Sequence, residues 1–278
     1  MVVPAPAKLN LFLHVTGRRA DGYHLLESVF TAIDLHDRIR VEVTDDGRVF
    51  RTADIEGVSE TDDLALRAAR LLKDASRAPQ GVAITLLKRI PIGGGLGGGS
   101  SDAASVLLAL NRLWDVRFSR ADLADVGVQL GADVPFFLGE GPALVRGIGE
   151  KLVPVSLPLR WIALVAPPAH VPTAAMFAAP ELTRSTPSAK MPVFPEGHGR
   201  NDLQPVAAAR YPVIAMALAA LEREQVGARM TGSGACVFAT CSTRERAEAA
   251  VHAVEQAVPG ARGFVVRSIA RHPLASFA

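Results

Sequence analysis

The chain has 278 residues, 49 % of them hydrophobic and 21 % charged, with a net charge of +2. That balance fits one large or two ordinary globular domains with a sizeable core, and it excludes a disordered chain. No block of Lys or Arg occurs, so neither nucleic acid nor an anionic membrane is indicated as a partner.

In chain order, residues 7–15 and 37–43 read as strands. Lys8 stands alone among apolar neighbours in the first, and by itself reads as a solvated edge residue. Residues 61–73 predict a helix with Asp62 and Asp63 in its first turn and Leu64, Ala68, Leu71 and Leu72 on one face. Residues 82–90 alternate like a strand and lead into a glycine run. A helix follows over 103–114, with Val106, Leu107, Leu110, Leu113 and Trp114 at helical spacing and Ser100, Ser101 and Asp102 as its start signals. Residues 119–130 predict another helix, with Ser119 and Asp122 as a capping box. Asp133 is a single carboxylate in an apolar run, and by itself reads as a helix cap or salt-bridge partner.

The most apolar stretch, 153–171, contains Arg160 and four prolines, so no membrane span is expected there. Residues 171–200, with a Pro-rich piece at 187–195, read as a long connection. The last part alternates regularly: strand 161–166, helix 212–224, strands 228–231 and 235–240 around a glycine turn, helix 243–258, strand 263–269. That β-α-β-β-α-β order predicts a ferredoxin-like split-βαβ domain. The expected class is α+β, with a mixed N-terminal domain over 1–155 and the ferredoxin-like domain over 156–278. Cys236 and Cys241 flank a strand and read as free thiols; with no signal peptide expected at the start, this fits a cytoplasmic protein. The seven His show no metal-ligand spacing, and the metal ligands stay unknown.

The glycine run is the most informative segment. It comprises Pro91, Ile92, Gly93, Gly94, Gly95, Leu96, Gly97, Gly98, Gly99, Ser100 and Ser101. A Gly-rich loop feeding a helix N-terminus offers free N–H groups and a positive dipole end to phosphate. A P-loop needs a Lys where Ser100 stands. A dinucleotide fingerprint should open a βαβ unit, whereas some ninety residues precede this run. A flexible linker would be polar on both sides, and this run lies between apolar elements.

Six segments taken together resemble the GHMP small-molecule kinases: Pro6-Ala-Lys-Leu-Asn-Leu, Gly22-Tyr-His-Leu, the glycine run, Leu130-Gly-Ala-Asp-Val-Pro-Phe, Asn201-Asp-Leu with Pro205-Val, and Met230-Thr-Gly-Ser-Gly-Ala. The resemblance covers nearly the whole chain, in order. It implies the two-domain fold of that family, ATP as co-substrate and Mg²⁺ as its counter-ion. It implies Asp133 as catalytic base with Lys8 as partner, and residues 91–101 as the triphosphate loop. Asn10, Tyr23 and His24 match residues around the alcohol substrate. Thr173 and Phe177 match a second wall of its base pocket. Thr231, Gly232, Ser233 and Gly234 match a third motif near the phosphates. Ser101 is a candidate Mg²⁺ ligand. The Lys-Leu-Asn-Leu, Gly-Tyr-His and Gly-Ala-Asp-Val-Pro segments mark a branch whose substrate is a CDP-linked methylerythritol. A GHMP kinase for another alcohol and a non-catalytic nucleotide-binding protein remain alternatives. The oligomeric state, a homodimer included, stays open.

Overall fold

The computed structural model describes residues 1–189, 197–225 and 227–278. Residues 190–196 of the expected connection, with most of its Pro-rich piece, lie outside that description. The chain opens on two long strands, β1 (Val2–Arg18) and β2 (His24–Thr44), followed by β3 (Val49–Arg51). Next come α1 (Leu64–Ser76), β4 (Gly81–Leu87), α2 (Gly98–Leu113), α3 (Arg120–Gly127), α4 (Val134–Leu138), β5 (Ala143–Gly147) and β6 (Lys151–Pro154). The rest comprises β7 (Trp161–Ala166), α5 (Thr173–Ala178), α6 (Gln204–Arg210), α7 (Pro212–Glu224), β8 (Arg229–Met230), β9 (Val237–Cys241), α8 (Arg244–Ala257) and β10 (Arg262–Ile269).

β2 organises the first half. It pairs antiparallel with β1, β4 and β5, and through Ile33 and Ala32 with the end of β10. The strands expected at 7–15 and 37–43 are therefore inner parts of longer ones. Pro4 and Pro6 argue against a strand, but β1 has β2 as its one strand neighbour among the described residues, and an edge strand tolerates a missing N–H. α1 to α4 bury Leu66, Leu72, Leu107, Leu110, Phe136 and Phe137 against Ile39, Val41 and Ile84 of the sheet. Asp63 is not in the first turn of α1 but caps it, accepting from the Ala65 N–H at 2.9 Å. Ser119 and Asp122 form the expected capping box of α3.

In the second half the strand order is β10-β7-β9-β8, antiparallel throughout, which is the ferredoxin-like arrangement expected from the sequence. One face of this sheet packs under α6, α7 and α8 through Ala163, Val165, Ile214, Leu221, Val237 and Val254. The other face sets Ile162, Leu164 and Phe238 against Leu9 and Ile33 of β1 and β2. The two halves thus share a third apolar cluster, and Leu96 of the glycine run is buried in it. Among the described residues no single helix is long and apolar enough to cross a membrane. The α6–α7 pair qualifies only when both are taken together across a 119° bend, and its buried apolar residues pack against the second sheet.

Candidate active site

The glycine run is held as a loop by its one large buried side chain. Leu96 sits in the shared cluster, and its carbonyl accepts the Lys8 N–H at 3.0 Å. The Cys236 N–H donates to Gly94 O at 3.2 Å. Positive φ at Gly93, Gly95 and Gly97 turns the chain onto α2. α2 begins at Gly98, five residues earlier than expected, with Gly97 as N-cap and no side chain closing the end. Ser100, Ser101 and Asp102 are therefore inside the helix and do not cap it. Its first-turn N–H groups have no intrahelical partner, and the dipole adds positive potential there. This is the arrangement that accepts phosphate. Ser101 is fully buried in the first turns of α2, and its Oγ has no protein partner. Among the described residues, no group of three or more His, Cys, Asp or Glu could hold a metal ion.

Lys8 and Asp133 come together beside this loop. Lys8 is 3 % exposed; its Nζ donates to Asn10 Oδ1 at 2.5 Å, lies 3.6 Å from Asp133 Oδ2 and sits 4.4 Å from the centre of the Phe30 ring. Lys8 is thus no solvated edge residue. Burial pulls its pKa down and Asp133 opposes that pull. Asp133 occupies the N-cap position of α4 yet accepts no helix N–H, and its side chain remains 32 % exposed. A carboxylate that caps nothing, fixed by a buried ammonium and still open to solvent, is placed to take a proton from an incoming group.

The third motif closes the other side. Asn10 N–H donates to Thr231 Oγ1 at 3.0 Å, and Asn10 Nδ2 donates to Ser28 Oγ at 3.0 Å. Asn201 Nδ2 donates to the carbonyls of Met230 and Gly232, both at 2.8 Å. Asp202 accepts from the Val15 N–H at 2.8 Å, Thr186 Oγ1 at 2.7 Å and Arg200 Nε at 2.8 Å. Asn201 and Asp202, which carried the family resemblance with no assigned role, thus pin the 231–234 turn and the adjoining segment to β1.

A second cluster lies where β1 returns into β2. Tyr23 is 61 % exposed in that turn, while its carbonyl is held by the Arg19 N–H at 2.7 Å. The His24 ring stacks on Phe177 at 5.1 Å and 26°. Thr173 reaches the third motif. Its Oγ1 lies 2.7 Å from Ser233 Oγ, so it joins the third motif while Phe177, one helical turn on, faces His24. α5 therefore bridges the two clusters.

A charge network under the loop was missed by sequence reasoning. Lys88 Nζ donates at 2.5 Å to both Asp37 Oδ2 and Asp102 Oδ2. Asp37 Oδ1 takes the N–H groups of Arg89 and Ile90 at 2.5 and 2.9 Å, just before the loop begins. Burial pushes Asp102 up to about 7, against the pull of Lys88, and the neighbouring Asp37 adds to the rise. Burial also acts against the Lys88 charge, but the two carboxylates hold that ammonium above the ordinary lysine value. A cavity of about 560 Å³ is lined by Leu11, Thr31, Ile162, Phe238, Arg229 and others, and none of the candidate catalytic or binding residues lines it.

Residues 63–141 match the N-terminal domain of the GHMP kinases, and residues 195–260 match the GHMP kinases C-terminal domain. A 4-diphosphocytidyl-2-C-methyl-D-erythritol kinase of Thiobacillus denitrificans is 54 % identical over 275 residues, covering 99 % of this chain and 97 % of that protein. The enzyme of the same name from Nitrosospira multiformis is 50 % identical over 278 residues, covering 99 % and 93 %. A crystal structure of a 4-(cytidine 5'-diphospho)-2C-methyl-D-erythritol kinase superposes with a TM-score of 0.82 at 35 % identity, covering 97 % of this chain and all of that one. A homoserine kinase from Cytophaga hutchinsonii, at 18 % identity and a TM-score of 0.72 over 98 % of this chain and 94 % of that one, shares the fold.

Proposed function

The chain belongs to the GHMP kinases, and we propose that it moves the γ-phosphoryl group of ATP onto the 2-hydroxyl of 4-diphosphocytidyl-2-C-methyl-D-erythritol, a step of non-mevalonate isoprenoid biosynthesis. The observation that carries the mechanism is the Lys8–Asp133 pair beside an uncapped helix N-terminus. In this reading the loop of residues 91–101 binds the triphosphate through backbone N–H groups. Asp133 accepts the hydroxyl proton as the new O–P bond forms and the bond from the γ-phosphorus to ADP breaks. Lys8, itself held by Asn10 Oδ1, keeps the carboxylate in place. Phosphoryl transfer asks for in-line positioning and charge neutralisation more than covalent help, and this arrangement supplies both.

Mg²⁺ enters as part of the ATP substrate and offsets the phosphate charge there. Tyr23, His24 and Phe177 receive the cytidine, with Tyr23 offering an open aromatic face. We divide the chain into a domain over 1–155 and one over 156–278, with the nucleotide loop in the first and the third motif in the second. A cytoplasmic setting belongs to the same proposal, supported by two buried free thiols.

The test is ADP release from ATP and Mg²⁺ with a panel of alcohols. Turnover confined to the CDP-linked methylerythritol supports the reading. Comparable turnover with homoserine or mevalonate would replace it with another GHMP specificity. ATP binding without ADP release on any alcohol would leave a binding protein.

Tyr23→Ala addresses the base pocket. Stacking a base on an aromatic ring is worth about 1–3 kcal/mol, so the KM for the CDP-alcohol should rise by roughly 5- to 150-fold. The KM for ATP should barely move, and Tyr23→Phe should behave like the wild type. A fall in thermal stability with both KM values unchanged would make Tyr23 a structural residue.

A further inference from the structure

Arg184 lies in none of the motifs, yet its guanidinium joins the parts of the presumed base pocket. Its Nε donates to His24 Nε2 at 3.2 Å. Its Nη2 donates to the carbonyls of Phe177 and Ala179 at 3.1 and 2.5 Å, and its Nη1 to that of Leu182 at 3.1 Å. The segment that carries it is pinned just beyond: Thr186 Oγ1 donates to Asp202, and Ser188 Oγ to the buried carboxylate of Glu27 at 2.7 Å.

A guanidinium has donors only. The His24 nitrogen facing it must therefore present its lone pair, and the ring proton must sit on Nδ1. We propose that Arg184 is a positioning and specificity-determining residue, holding His24 as the neutral Nδ1–H tautomer so that the pocket presents one ring N–H donor to an acceptor on the nucleobase. The proposal rests on the cytidine reading above. At N3 cytosine accepts such a donor whereas the N3–H of uracil opposes it; O2 accepts in both bases. The ring also keeps its orientation, because Arg184 holds the Phe177 carbonyl while His24 stacks on the Phe177 ring.

The charges around His24 act in one direction. Burial lowers its pKa first, and Arg184 and then Arg18, its pairing partner on β1, lower it further. Phe177, from α5, adds no charge. The charged form of the ring is therefore disfavoured relative to an ordinary histidine.

The experiment has two readouts. Histidine ¹⁵N–¹H NMR of the ligand-free protein, with His24 assigned by His24→Gln, should show Nδ1 protonated and Nε2 not; an Nε2–H tautomer would overturn the proposal. The second readout is the KM for the CDP-alcohol between pH 8 and pH 6. In Arg184→Met it should rise more steeply toward pH 6 than in the wild type, because one cation that disfavours the charged ring is lost while burial and Arg18 remain. Arg184→Lys, which keeps a cationic donor, should bring back the wild-type profile. The KM for ATP should show no matching change. A profile in a folded Arg184→Met identical to that of the wild type also overturns the proposal, and if that variant does not fold, the wild-type NMR result decides. Should the wild type fail to turn over the CDP-alcohol, the substrate reading falls, while the tautomer measurement, made without substrate, still decides the role of Arg184.

Discussion

Asp133→Asn is expected to lose about 10²-fold or more of turnover while keeping the fold and the KM for ATP. The substitution keeps the shape of the side chain and removes its ability to take a proton. Little structure depends on the charge, since Asp133 accepts no helix N–H and remains a third exposed. Lys8 keeps its bond to Asn10 Oδ1, so the buried ammonium is not left without a partner. Steady-state ADP release and a melting curve, measured on the same sample, separate the two effects. Turnover close to the wild type at neutral pH would take Asp133 out of the base role. A large drop in melting temperature would show that the pair serves the fold.

Gly95→Val is expected to cost stability and ATP affinity together. Gly95 has φ +75°, a conformation that β-branched residues hardly adopt. A Cβ there would overlap the carbonyl oxygen of Thr231, and Gly234 O is also close. Strain plus overlap with a backbone that cannot rotate away should cost about 3 kcal/mol or more. The loop would lift off the 231–234 turn, so the KM for ATP should rise as the melting temperature falls. Gly99→Ala is the control: its Cβ meets only Leu64 Cδ1, at 3.4 Å, and φ is not positive. An unchanged melting temperature for Gly95→Val would mean that the loop does not depend on that contact.

Gly95 also shows where reading the sequence stops. The glycine run announces close backbone approach, and a phosphate is the natural guest. In the structure, Gly95 is small because a carbonyl of the other half lies against it, a partner 136 positions away. Local chemistry was legible wherever the signal is local. The capping box at Ser119, the α7 helix over 212–224, the β7 strand over 161–166 and the split-βαβ order all follow from periodicity and turn residues. The first part of β2 did not, because residues 27–33 are buried on both faces and show no alternation. α4 and α5 are too short for a helical period to appear. Lys8 and Asp133 were found through family resemblance, since nothing local says that residues 125 apart share a site. Arg184 and the Lys88–Asp37–Asp102 network had no pattern at all. Each depends on polar groups from segments distant in sequence.

The placement of β2 also governs how the chain can be synthesised. This strand, complete by residue 44, awaits Ser268 and Ile269 as its last ladder partners. Arg120 donates to the carbonyl of Leu274, and Leu274 and Phe277 pack into the first apolar core. A nascent chain released only as far as residue 155 would therefore hold β2 with part of its edge unpaired and one side of its core uncovered. Such edges and surfaces are what make partly made proteins aggregate. The first half therefore closes only once residues 268–277 have joined it.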